Sequence, residues 1–164
     1  MRFLVWLSNT APAVWARESD SIWAYPTVLF LHTFGLGALV GFTSVIDLRV
    51  LGFSSHVPLA PLTRFFKFIW IGFWINAISG VLLLINTPAK LNNPAFAVKM
   101  TCITLGVVNL IWLRREVFEG RPDTEGVSGL AVSKLGKILA GTSLLLWAVA
   151  ITAGRLMAYV GPQR

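Results

Sequence analysis

Between Ile22 and Gly52 the chain reads IWAYPTVLFLHTFGLGALVGFTSVIDLRVLG, and from Pro26 to Ile46 nearly every position is apolar or small. As a helix this run is long enough to cross a bilayer, which takes about 20 such residues. His32 interrupts it about a third of the way in, where an ionisable group is costly unless it faces a protein interior or a ligand. On a helix advancing about 100° per residue, Gly35, Leu36, Leu39 and Thr43 fall close to the histidine's face. Gly37, Gly41 and Ser44 fall on the opposite face, a small-residue stripe that lets another helix approach closely. That stripe fits internal packing and a homodimer interface equally well. The span is therefore expected at the centre of a bundle, with neighbours on both sides.

Composition points the same way. A mean hydropathy of +0.72 with 13% charged residues belongs to a membrane protein. The net charge of +7 is not a nucleic-acid footprint. Its basic residues are scattered through connecting segments, with no Lys/Arg stripe interleaved with exposed aromatics. Membrane lipids are the expected surroundings, and no nucleic-acid partner is expected. The single cysteine, Cys102, rules out an intrachain disulfide and any CxxC motif. At the N-terminus the apolar core Phe3–Leu7 is shorter than a signal h-region of about 7–15 residues, so cleavage is not expected. Residues 1–23 place Trp6, Trp15 and Trp23 among polar side chains and read as an interfacial segment at headgroup level.

The rest of the chain yields three more spans, giving one all-α domain over residues 1–164, an integral membrane four-helix bundle. The spans are expected at about 24–48, 65–85, 95–113 and 135–159. Pro58 and Pro61 mark the first connection. Asn92, Asn93 and Pro94 mark the second, with Pro94 in the first turn of the helix that follows. The mixed-charge, Gly-rich stretch 114–134 is a solvent loop. Four spans put both termini on one side. Arg49, Arg64, Lys67, Arg114, Arg115, Arg121, Lys134 and Lys137 collect on the other. The positive-inside rule then puts the first and third loops in the cytoplasm and both termini outside.

With that topology the polar residues within the spans converge on the outer half of the bilayer. His32 lies about eight residues in, roughly 12 Å at 1.5 Å per residue. Lys99 lies about five residues into its helix, and Arg155 within about a turn of the outer end of the last one. Asn76 and Ser79 sit near the middle of the second span and one turn nearer the outside. Lys99, Cys102, Gly106 and Asn109 share a stripe, as do Gly72, Asn76, Ser79 and Gly80, and as do Ala148, Thr152 and Arg155. Buried together, these faces make a polar cavity lined by His32, Asn76, Ser79, Lys99, Thr152 and Arg155, with Thr43 a further candidate on the histidine's face. Each also has a plainer reading. Lys99 and Arg155 are near enough to the interface to snorkel. Asn76 and Ser79 can serve as interhelical hydrogen-bonding groups, and Cys102 as a small buried hydrophobe. His32 itself can be a neutral ring bonded to a neighbouring hydroxyl or carbonyl.

A neutral imidazole can ligate iron through one nitrogen while a hydrogen bond holds the other. Haem b matches this pattern: His32 as metal ligand, an apolar slot for the macrocycle, and Lys99 and Arg155 for the propionates. No second histidine lies within a span. The other axial position then falls to Met100, Met157, Lys99 as a neutral amine, a partner chain, or nothing. Met100 points about 100° away from Lys99, so the two are not expected to share one pocket. Copper ligands show no recognisable spacing. A proton relay from His32 meets no acid near its depth, since Asp47 is about 22 Å along the same helix. No nucleophile–base–acid set for hydrolysis is present.

Over about residues 15–159 the chain resembles an uncharacterised bacterial family of small four-helix membrane proteins, a domain of unknown function. The residues that carry the likeness are WAYPTVLFLHTFGLGALVG, IDLRVLG and NPAFAVKM, with Trp23, Tyr25, Pro26, His32, Gly35, Gly41, Asp47, Arg49, Asn93, Pro94, Phe96 and Lys99 at the hallmark positions. More distantly, a histidine in the first helix and a lysine in the third is similar to the haem-binding membrane protoporphyrinogen oxidases and the copper-resistance D-type proteins. The former likeness implies His32 as a haem ligand and Lys99 as its functional partner. The resulting expectation is a haem-b-binding or redox-associated membrane protein. The competing one is a non-catalytic accessory subunit of a larger energy-transducing complex, binding lipid, pigment or quinone. A homodimer is compatible with either.

Overall fold

Apolar segments in lipid must satisfy their backbone hydrogen bonds internally, and each of the four runs does so as a helix. The structure, a computed structural model, describes residues 14, 23–86, 93–119, 132–157 and 159. Helix α1 is Ala24–Leu51, α2 Phe65–Asn86, α3 Pro94–Arg114 and α4 Lys134–Leu156. A 3-10 turn, Ala60–Arg64, leads into α2, and a wider π-helical turn, Arg115–Glu119, continues α3. All four helices are long and apolar enough to cross a membrane, and the described residues contain no strand. The chain is an all-α, multi-pass membrane four-helix bundle. The interfacial segment expected over 1–23 lies outside the described residues except for Val14 and Trp23, the latter exposed.

Helix ends follow local chemistry. α1 runs past the expected residue 48 because Gly52 can take φ +108° and stop it. There the Gly52 N–H donates to Arg49 O at 3.2 Å and the Phe53 N–H to Leu48 O at 3.0 Å, a Schellman closure. Arg49 then fastens the following loop, donating from Nη2 to Ser55 O at 2.9 Å and from Nε to Val57 O. α3 starts at the Asn-Pro pair, as expected. The Asn93 side chain accepts from the Ala95 N–H at 2.9 Å, and Pro94 occupies a position where its missing N–H costs nothing. Ser133 caps α4 through the Gly136 N–H at 2.9 Å and donates to Glu116 Oε1 at 2.8 Å, tying α4 to the π-helical turn. α4 ends at Leu156, three residues before the expected limit.

The packing order is less regular than the helix count. α1 packs on α2 and on α4, and α3 packs on α4, whereas α2 and α3 hardly touch. α1 and α2 cross where two glycines meet. A Cβ on Gly35 would stand 2.7 Å from Asn76 N and 2.8 Å from Gly72 O, and one on Gly72 would stand 2.8 Å from Leu39 N. On the α3–α4 side, Gly106 receives the Trp147 ring, whose Cζ2 would lie 3.2 Å from an added Cβ. The buried core, including Leu39, Ile46, Val50, Ile69, Leu110 and Leu113, is weighted towards the end where α1 stops and α2 begins. That end, carrying Arg49, Arg64, Lys67, Arg114 and Arg115, is called the basic end below. Among the described residues, a Cβ on Gly37 or Gly41 would meet nothing within 4 Å.

Candidate functional site

His32 is held from α2. Its Nδ1 lies 3.0 Å from the backbone oxygen of Asn76 and 3.3 Å from Ser79 Oγ. A carbonyl oxygen only accepts, so this partner assigns the ring proton to Nδ1 and leaves the lone pair on Nε2. Asn76 returns the contact, donating from Nδ2 to His32 O at 2.8 Å. Ser79 donates to Ile75 O at 2.6 Å and lies 3.2 Å from Asn76 O. Gly80 makes room for the ring: a Cβ there would come within 3.0 Å of His32 Cε1 and 3.3 Å of Nδ1. One turn of α2, Asn76 to Gly80, thus sets the position and tautomer of a histidine on α1.

The open seam between α2 and α3 forms a cleft of about 440 Å³, with His32 at its back. Its walls are almost wholly apolar, with Phe73, Val81 and Leu84 on α2 facing Phe96, Ile103 and Val107 on α3. Lys99 lines it from α3, half-buried, close enough for its charge to act on the imidazole. The lysine's stem and Nζ pass 3.6 to 3.7 Å from the place of a Cβ on Gly154, so its side chain lies along α4 in ordinary van der Waals contact.

Of the expected site residues, His32, Asn76, Ser79 and Lys99 come together. Thr43 and Arg155 do not. Thr43 is fully buried and donates to Leu39 O at 2.7 Å, its hydroxyl satisfied by its own helix. It also lies eleven residues, about 16 Å, along α1 from the histidine. Arg155 is exposed and lies outside the cleft wall. Thr152 is exposed as well and bonds back to Ala148 O at 2.8 Å. Their stripe on α4 shares a helical phase, but neither residue lines the cleft. Met100, expected to avoid the pocket of Lys99, lines the same cleft, because a seam this open accepts side chains spread over a wide arc of α3. The apolar wall was missed by sequence reasoning, since nothing distinguishes Phe73 or Val107 from lipid-facing neighbours.

At the other end of α1, Asp47, Ser143 and Trp147 are buried, and among the described residues neither carboxylate oxygen, the Ser143 hydroxyl nor the indole N–H has a hydrogen-bond partner.

The donor set decides which metal chemistry fits. Among the described residues no group of three or more His, Cys, Asp or Glu side chains is close enough to hold a metal ion. A haem brings four nitrogens of its own and asks the protein for one axial ligand, and a neutral histidine oriented through Nδ1 is the form that ligand takes. No protein-family model, curated protein or solved structure matches this chain, so its function is argued from the site itself.

Proposed function

We propose that the chain is a bacterial inner-membrane protein with periplasmic termini that binds haem b in the α2–α3 cleft, with His32 as iron ligand, and serves a membrane redox process. One observation carries this reading: His32 Nδ1 is committed to the Asn76 carbonyl at 3.0 Å while the ring lines an apolar cleft. When bound, haem would supply one-electron iron chemistry. The chain's residues supply the rest. His32 Nε2 offers the lone pair, Asn76 and Ser79 keep the ring from turning, and the aromatic and aliphatic walls exclude water. Lys99 offers a cation to a propionate, and Met100 is the soft side chain available on the same wall.

The test is an absorption spectrum of detergent-purified protein titrated with haemin. A saturable Soret band that is lost in His32→Ala is expected. No band, or one unchanged by that substitution, overturns the proposal.

A second reading is favoured by the shape of the cleft, whose polar groups gather around His32 and Lys99 while the remaining wall is apolar and opens sideways. That shape suits a head-and-tail molecule such as a quinone or a lipid, held by an accessory subunit of a larger complex. It predicts co-purification with stoichiometric partners, and ligand in the cleft without a haem spectrum.

A further inference from the structure

The seam between α2 and α3 continues towards the basic end, where it carries different chemistry. Two adjoining hollows, about 220 and 380 Å³, share Phe66, Trp70, Arg114 and Glu119. Their floor is apolar, with Leu110 and Ile111 of α3 opposite Trp70 of α2. Trp70 and Ile111 lie about one turn from Phe73 and Val107 of the His32 cleft, so the apolar seam is continuous along the helices. Lys67 on α2 and Arg114 and Arg115 on α3 rim it. Arg114 is preset. Its Nε lies 3.0 Å from Glu119 Oε1, and its guanidinium sits 5.3 Å over the Phe66 ring centroid. The π-helical turn makes that ion pair feasible, because residues five apart stand about 140° apart on an α-helix. Glu119 is thereby engaged. Lys67 and Arg115, on opposite sides of the seam and exposed, have no acidic partner among the described residues.

We propose that this end of the seam is a binding site for an anionic phospholipid, its phosphate between Lys67 and Arg115 and its acyl chains along Trp70, Ile111 and Phe73. Charge complementarity selects the occupant. Cations at a membrane surface attract anionic headgroups, guanidinium donors match phosphate oxygens, and a zwitterionic lipid brings a cation of its own into a cluster that already has an excess. A free anion has no use for the apolar floor. A packed helix would have to bury Lys67 and Arg115 without partners. This inference does not rest on the haem proposal: it shares the Phe73 wall with that cleft but uses none of its polar residues.

The experiment is native mass spectrometry of the detergent-solubilised full chain with an equimolar mixture of phosphatidylglycerol and phosphatidylcholine. Wild-type protein is expected to retain phosphatidylglycerol preferentially. The preference should fall about five-fold for each cation removed in Lys67→Gln and Arg115→Gln. Lys134→Gln with Lys137→Gln removes equal charge from the same end of α4, outside the seam, and should leave the preference intact. Equal retention of the two lipids by wild-type protein, or an equal loss in both double variants, overturns the site. Displacement of the lipid by millimolar inorganic phosphate also overturns it, because the chains would then contribute nothing. Should the Lys67/Arg115 variant lose its helical circular dichroism, the wild-type lipid preference and the phosphate competition still decide the question.

Discussion

Two residues in this bundle show how differently a polar group can be kept inside hydrocarbon. His32 is satisfied through a backbone carbonyl, so its orientation does not depend on any one side chain, and Gly80 leaves the ring its space. Gly80→Ala would bring a methyl group to 3.0 Å from Cε1 and force the ring to shift. We expect it to weaken haemin binding several-fold in the spectrophotometric titration, with helical circular dichroism unchanged. Asp47 is the opposite case, a buried carboxyl with neither oxygen bonded. An unpartnered ionised group away from water costs free energy that a neutral isostere does not. Asp47→Asn is therefore expected to raise the melting temperature in detergent. A lower one would show that the carboxylate contributes a stabilising contact.

At the scale of the helix, glycine has two uses here. Gly35 and Gly72 stand where α1 and α2 touch backbone to backbone, and an added Cβ would meet main-chain atoms at 2.7 to 2.9 Å. Either helix must move to accept alanine. Each substitution should cost about 1–3 kcal/mol, the usual range for overpacking, read as a fall in unfolding midpoint in a denaturing detergent. Gly37 and Gly41 have nothing within 4 Å. Alanine there should be neutral or stabilise by up to about 1 kcal/mol through helix propensity. A clear loss at Gly41 together with a smaller assembly on size exclusion would place that stripe in a contact between chains.

Across the whole molecule the arrangement is two helical hairpins, α1–α2 and α3–α4, joined through α1 and α4 and left open between α2 and α3. The opening produces the cleft at His32 and the basic hollow at the other end. Orientation can be read independently. With periplasmic termini, a C-terminal alkaline phosphatase fusion is expected to be active and a fusion within 120–131 inactive. The reverse pattern would invert the topology and put the Lys67–Arg115 cluster at the periplasmic surface.

Span number and helix type were legible from residues alone, because length and apolarity are local properties and lipid leaves the backbone no alternative to helix. So were the Asn93–Pro94 cap and the nearness of His32, Asn76, Ser79 and Lys99, which followed from depth and phase. Which face of each helix meets which neighbour was not. Lipid is as apolar as a protein interior, so hydrophobicity does not mark the buried side of a membrane helix. Gly35 and Gly37 are the same residue two places apart, one at a helix crossing and one facing open space. Thr43 and Arg155 were misplaced for the same reason. Only the packing of α1 on both α2 and α4 decided that α2 and α3 would part, and so where the cleft lies.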